Sequence, residues 1–77
     1  MKQTDVKLTR YEAGDYWIDI VELPNEFESW ITHKNYGVSD LMFGCPKQQQ
    51  TLDSFIDLVR CNLADYIALY KEDHEED

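Results

Sequence analysis

Between residues 52 and 70 eight apolar side chains recur at helical spacing, while the chain before them reads as strands and turns. At 100° per residue Leu52, Phe55, Ile56, Val59, Leu63, Tyr66, Ile67 and Tyr70 fall within an arc of about 120°, the stripe of a helix lying on a core. Thr51 stands where an N-cap belongs, and Asp53 and Asp57 sit toward the positive end of the helix dipole. The spacing therefore predicts one amphipathic helix over 51–71 with a single face committed to packing. From Lys71 the chain runs Lys-Glu-Asp-His-Glu-Glu-Asp, placing acids at the negative end of the dipole, so 72–77 is expected to be a frayed acidic tail.

One helix needs one sheet. Residues 16 to 23 are dense in β-branched and aromatic side chains and stop at Pro24-Asn25, where Pro presets φ and Asn tolerates the left-handed region. Residues 27 to 33 and 38 to 43 are two further strands around Lys34-Asn35-Tyr36-Gly37, and a fourth covers about residues 5 to 12 before the turn Ala13-Gly14-Asp15. The expected fold is α+β: an antiparallel meander of three to four strands within 5–44, then one long C-terminal helix packed on one face (β-β-β-β-α). With 77 residues and no repeat or linker, the whole of 1–77 is read as a single small domain.

Pro24-Asn25 as a two-residue loop pairs Leu23 with Glu26, which sets Ile18 opposite Ile31, Ile20 opposite Ser29 and Tyr16 opposite His33. A three-residue Asn35-Tyr36-Gly37 loop pairs Lys34 with Val38, placing Ile31 opposite Leu41 and Ser29 opposite Phe43; a two-residue loop would put Asp40 opposite Ile31 instead. The first choice brings Ile18, Ile20, Phe27, Ile31, Leu41 and Phe43 to the helix stripe. The other face then presents Trp17, Asp19, Val21, Glu28, Trp30, Thr32, Asp40 and Met42, and all of these but Thr32 are the expected protein-binding residues. A single helix leaves them uncovered, and soluble monomers seldom expose large contiguous apolar patches.

Charge narrows the partner. The chain carries 16 Asp plus Glu against 7 Lys plus Arg, a net −9, so direct nucleic-acid binding and attachment to anionic membranes are not expected. An aromatic patch ringed by carboxylates suits a basic protein surface, with Trp supplying contact area and cation–π attraction. Residues 1 to 10 are polar, and no apolar run approaches a membrane span, which reads as a soluble cytoplasmic protein.

Catalytic and metal chemistry find little footing. Cys45, Cys61, His33 and His74 show neither a C-x-x-C pair nor an H-x-x-x-H spacing, so no metal or other cofactor is expected. Cys61 lies about 180° from the centre of the apolar stripe and is read as an exposed reduced thiol. Asp19 and Asp40 come to mind as an acid–base couple, but the expected register sets them two strands apart, diagonally, on an open face where neither is desolvated enough to act as an acid at neutral pH. The expectation is a non-enzymatic module.

The segment Gly44-Cys45-Pro46, the glutamines 48 to 50, and Thr51-Leu52 opening the amphipathic helix is similar to the strand-to-helix junction of HicB-type antitoxin domains. That similarity spans under half the chain, and it departs from the family in that no DNA-binding appendage is recognisable. It implies an antitoxin-like regulatory role, as an alternative to an acidic inhibitor or regulator of a basic, nucleic-acid-binding protein. A homodimer or a subunit of a larger assembly, with the tryptophan face as its interface, is the third reading.

Overall fold

In the computed structural model residues 6–74 form four antiparallel strands and one helix: β1 (Lys7–Ala13), β2 (Tyr16–Glu22), β3 (Glu26–His33), β4 (Ser39–Pro46) and α1 (Leu52–His74), with the strands in the order β1-β2-β3-β4. The α+β meander with one C-terminal helix is thus the fold. Asp5, which the sequence reading placed in the first strand, lies outside the described residues.

Each hairpin is set by its turn. Gly14 takes φ 61°, which lets a two-residue Gly14-Asp15 loop pair Ala13 with Tyr16 and carries the register down to Lys7 opposite Glu22. At Pro24-Asn25 the Leu23 amide donates to the Glu26 carbonyl at 2.9 Å, and Ile18 meets Ile31, Ile20 meets Ser29 and Tyr16 meets His33, the expected register throughout.

The third hairpin departs from expectation. Tyr36 and Gly37 both donate to the His33 carbonyl, at 3.2 and 3.0 Å, with Gly37 at φ 70°, and the ladder opens with Thr32 opposite Ser39 and Ile31 opposite Asp40. Between Ser29 and Trp30 the register shifts by one, so that Leu41 faces Trp30 while Phe43 faces Ser29. The expected pairing of Ser29 with Phe43 holds below this bulge; the expected pairing of Ile31 with Leu41 does not hold above it. The reason is packing. Met42 and Phe43 are consecutive, yet both pack in the core, and a regular strand would send one of them to the opposite face. The extra residue brings both to one side.

Two of the seven expected face residues are therefore misplaced by the sequence reading. Met42 is 6% exposed and belongs to the core cluster with Ile31, Phe55 and Val59, whereas Leu41, expected in the core, is 53% exposed. Asp40 sits opposite Ile31 on the helix side, where its Oδ2 lies 2.8 Å from His74 Nε2.

α1 lies over β3 and β4, and its eight stripe residues all pack in or against the core. Phe55 is fully buried between Phe27 and Phe43, each ring centroid 5.3 Å away; burying one such side chain stabilises by about 1.5–3 kcal/mol. Thr51 caps the helix, its Oγ1 accepting from the Ser54 amide at 3.1 Å. The helix runs past the expected end at 71. Glu72 and Asp73 are helical, not frayed, because Tyr70 and His74 tie the last turns to β4. Glu75, Glu76 and Asp77 lie outside the described residues.

Candidate functional site

The face of the sheet turned away from α1 follows from the pairings. Across it run three rows: Leu8, Val21, Glu28 and Gly44; Arg10, Asp19, Trp30 and Leu41; Glu12, Trp17, Thr32 and Ser39. Trp17, Asp19, Val21, Glu28 and Trp30 of the expected set are here together. Asp40 and Met42 are not, and Leu41 takes the position at the β4 edge.

Arg10 is the organising residue. Opposite Asp19 in the ladder, it clasps that carboxylate with both prongs, Nε to Oδ1 at 2.7 Å and Nη2 to Oδ2 at 3.0 Å. The hydrogen bond to Asp19 raises the Arg10 pKa above its ordinary value, desolvation opposes this, and the coulombic attraction of the same carboxylate adds to the rise. Its charge is constant across all physiological pH. The Asp19 pair lets a carboxylate only 6% exposed sit in the middle of a sheet.

The tryptophans are held by their neighbours. Lys34 lies two residues beyond Thr32 on the same side of the strand, and Thr32 faces Trp17, so the lysine returns over the indole. Its Nζ is 4.7 Å from the Trp17 ring centroid and the Arg10 guanidinium carbon is 5.0 Å from it, two cation–π contacts on one ring. Lys34 also pairs with Glu12. Trp30, diagonal to Trp17, donates its indole N–H to Glu28 Oε1 at 3.1 Å, and Thr32 and Ser39 share a 2.6 Å hydroxyl hydrogen bond. Both indoles end half-buried rather than bare.

This electrostatic arrangement differs from the expected ring of free carboxylates. Asp19, Glu12 and Glu28 are each engaged within the face, and the cations over Trp17 belong to the chain itself. What the face offers outward is mixed: the two half-buried indoles and Val21, flanked by Leu8, which is 59% exposed, and by Leu41, with the exposed, internally paired side chains of Arg10 and Glu12 between them. A further set of exposed carboxylates, Asp53, Asp57, Asp65 and Glu72, stands on α1.

Arg10, Lys34, Glu12 and Leu8 were not singled out from sequence. Counting back from a two-residue Gly14-Asp15 loop gives Arg10 opposite Asp19 and Leu8 opposite Val21, and two-residue alternation from Thr32 gives Lys34; both signals stand in the sequence once β1 is registered against β2.

Other groups resolve as structure. Buried His33 meets the Tyr16 ring edge-on at 4.9 Å, stacks on Tyr36 at 4.5 Å, and accepts at Nδ1 from the Asn35 amide at 3.1 Å. Cys45 and Cys61 are free thiols, the latter exposed. Among the described residues no three His, Cys, Asp or Glu side chains gather closely enough to hold a metal ion, and no helix is long and apolar enough to cross a membrane. Asp19 and Asp40 lie on opposite faces, the one held by Arg10 and the other by His74. No protein-family model, no curated protein and no solved structure matches the chain.

Proposed function

We propose that the chain is a non-enzymatic protein-binding module that docks through the uncovered sheet face and acts as an inhibitor or regulator of a basic partner. The observation that carries this reading is the half-buried pair Trp17 and Trp30, locked by Arg10, Lys34 and Glu28 on a surface the helix does not reach. Rigid indoles are the side chains that lose least freedom on docking and gain most contact area, and they dominate the energetics of interfaces. Leu8, Val21 and Leu41 extend the apolar area, and Asp19 and Glu28 act as positioning residues within the face.

Charge supplies the preference for a basic partner. At a net −9 the chain's long-range field favours encounter with positively charged surfaces, and the sheet face then makes the contacts. Affinity capture from the cells that make the protein, with wild type and with Trp17→Ala plus Trp30→Ala as baits, tests the site. A basic protein retained only by wild type supports it; the same catch on both baits removes the sheet face from the interaction. Titrating the captured pair against salt tests the field, since an affinity indifferent to ionic strength leaves no electrostatic contribution.

A further inference from the structure

The two edges of the sheet are not alike. β4 is guarded by the bulge at Met42, by Pro46 at its end, and by the Tyr70 hydroxyl bonded to the Val38 carbonyl beside its start. β1 has no proline and no bulge, pairs with β2 in continuous register over all seven residues, and exposes Leu8 and Tyr11, the latter at 40%. A long regular edge of this kind is a template for another strand.

Which main-chain groups point off that edge follows from the ladder. The Leu23 amide bonds to the Glu26 carbonyl, so Leu23, Val21, Asp19 and Trp17 bond to β3, and by alternation Ile20, Ile18 and Tyr16 bond to Thr9, Tyr11 and Ala13 of β1. Leu8, Arg10 and Glu12 therefore turn their N–H and C=O groups outward. An antiparallel second copy of β1 must match these residues with one another, which leaves only registers in which even-numbered residues meet. A register centred on Arg10 stacks two arginines on the axis and is repulsive. A register centred on Thr9 sets Arg10 against Leu8. Centring on Tyr11 instead sets Arg10 opposite Glu12 of the second copy, twice by symmetry. This is the only one of the three in which Arg10 meets an opposite charge.

We infer that the protein forms a two-fold homodimer by antiparallel pairing of β1 with β1 of a second copy about Tyr11, joining the two meanders into one continuous sheet. The two-fold axis is normal to the sheet, so both helices lie on one side and both tryptophan faces on the other. The Tyr11 side chains meet on the helix side, where each copy has a hollow of about 200 Å³, lined by Ile18, Ile20, Ile56, Val59 and Leu63 with Arg60 beside them, that α1, lying over β3 and β4, leaves open toward β1. Two such hollows abut across the axis, and the paired tyrosines bury their exposed rings over them. The interface is the sheet edge rather than its face, and it stands or falls separately from the docking proposed above.

Sedimentation of the full chain from about 1 to 100 µM tests association, with a concentration-dependent dimer expected. Glu12→Arg places arginines opposite each other at both central pairs and weakens the dimer about tenfold or more. Tyr11→Lys, at an exposed position on the axis with no part in the core, sets two lysines against each other, weakens it in the same direction and serves should Glu12→Arg fail to fold. Register is read by crosslinking in a Cys45→Ala, Cys61→Ser background. Tyr11→Cys places two thiols on a non-hydrogen-bonded pair, where Cα atoms are about 4.5 Å apart and a disulfide fits, while Thr9→Cys does not face itself. A covalent dimer from Tyr11→Cys alone supports the register. A monomer at every concentration, a dimer indifferent to both charge changes, or equal crosslinking at 9 and 11 overturns it.

Discussion

The Tyr70 hydroxyl donates a 2.6 Å hydrogen bond to the main-chain carbonyl of Val38, thirty-two residues earlier in the chain. Tyr70 is also fully buried, edge-on to Tyr16 at 5.6 Å and beside the His74 ring at 4.3 Å. One side chain thus joins the last turns of α1, the entry to β4 and the start of β2. This contact helps a helix end that carries Glu72 and Asp73 between Lys71 and His74 stay wound: the two acids are unfavourable at the negative end of the dipole, and a tertiary anchor outweighs them.

Removing only the hydroxyl should separate the hydrogen bond from the packing. Tyr70→Phe is expected to cost about 1 kcal/mol, and Tyr70→Ala about 3–5 kcal/mol, in urea unfolding. Equal losses for the two variants would mean that the ring contributes nothing beyond its hydroxyl.

The bulge makes a sharp pairwise prediction. Met42→Ala should destabilise by about 2–4 kcal/mol because it empties a core position, whereas Leu41→Ala should stay within about 0.5 kcal/mol. The reverse order in thermal or urea melts would restore the unbulged register.

The helix cap is independent of both. Thr51→Ala removes the acceptor for the Ser54 amide and should cost about 1 kcal/mol, while Thr51→Asp, which keeps an acceptor there and adds a charge favourable to the dipole, should cost little or nothing. Helical content by circular dichroism and the urea midpoint report the difference.

How far the sequence spoke varies from element to element. The β2–β3 register was legible from Pro24-Asn25 because a two-residue loop leaves one way to pair the flanking strands, and the apolar alternation agreed with it. The helix stripe was legible from its period. The β3–β4 ladder was half legible: each of the two loop lengths weighed gives the correct pairs on one side of the bulge, and no local signal says that a residue is inserted between them. Met42 next to Phe43 is a pair of adjacent core residues only after tertiary packing is known. Asp40 was assigned to the wrong face by the same slip, and its partner His74 lies thirty-four residues away, beyond the reach of any spacing rule. The charge network on the open face was hidden for a different reason. Arg10 and Glu12 sit on β1, and only the β1–β2 register brings them to this face, so β2 and β3 alone leave Asp19 a bare carboxylate when it is clasped by both prongs of Arg10.

That network yields a prediction about the indoles themselves. Lys34 and Arg10 stand over Trp17, while Trp30 is held by Glu28 and by neither cation. In a Trp30→Phe background, which leaves Trp17 as the sole indole, Lys34→Gln should raise acrylamide quenching of its fluorescence, because one of the two groups covering the ring is shortened and no longer charged. In a Trp17→Phe background the same change should leave quenching of Trp30 unaltered. The stability cost should stay at or below about 1 kcal/mol, since the lysine is partly solvated and its attraction to the ring and to Glu12 is screened. The contrast matters for docking. If Trp17 loosens without loss of fold and partner affinity falls with it, the cations serve to hold the indole ready in its bound orientation, an ordering cost met on folding and not on binding. Unchanged quenching in both backgrounds would mean that the lysine does not cover the ring in solution, and the rigid half-buried Trp17 on which the docking face depends would lose one of its two supports.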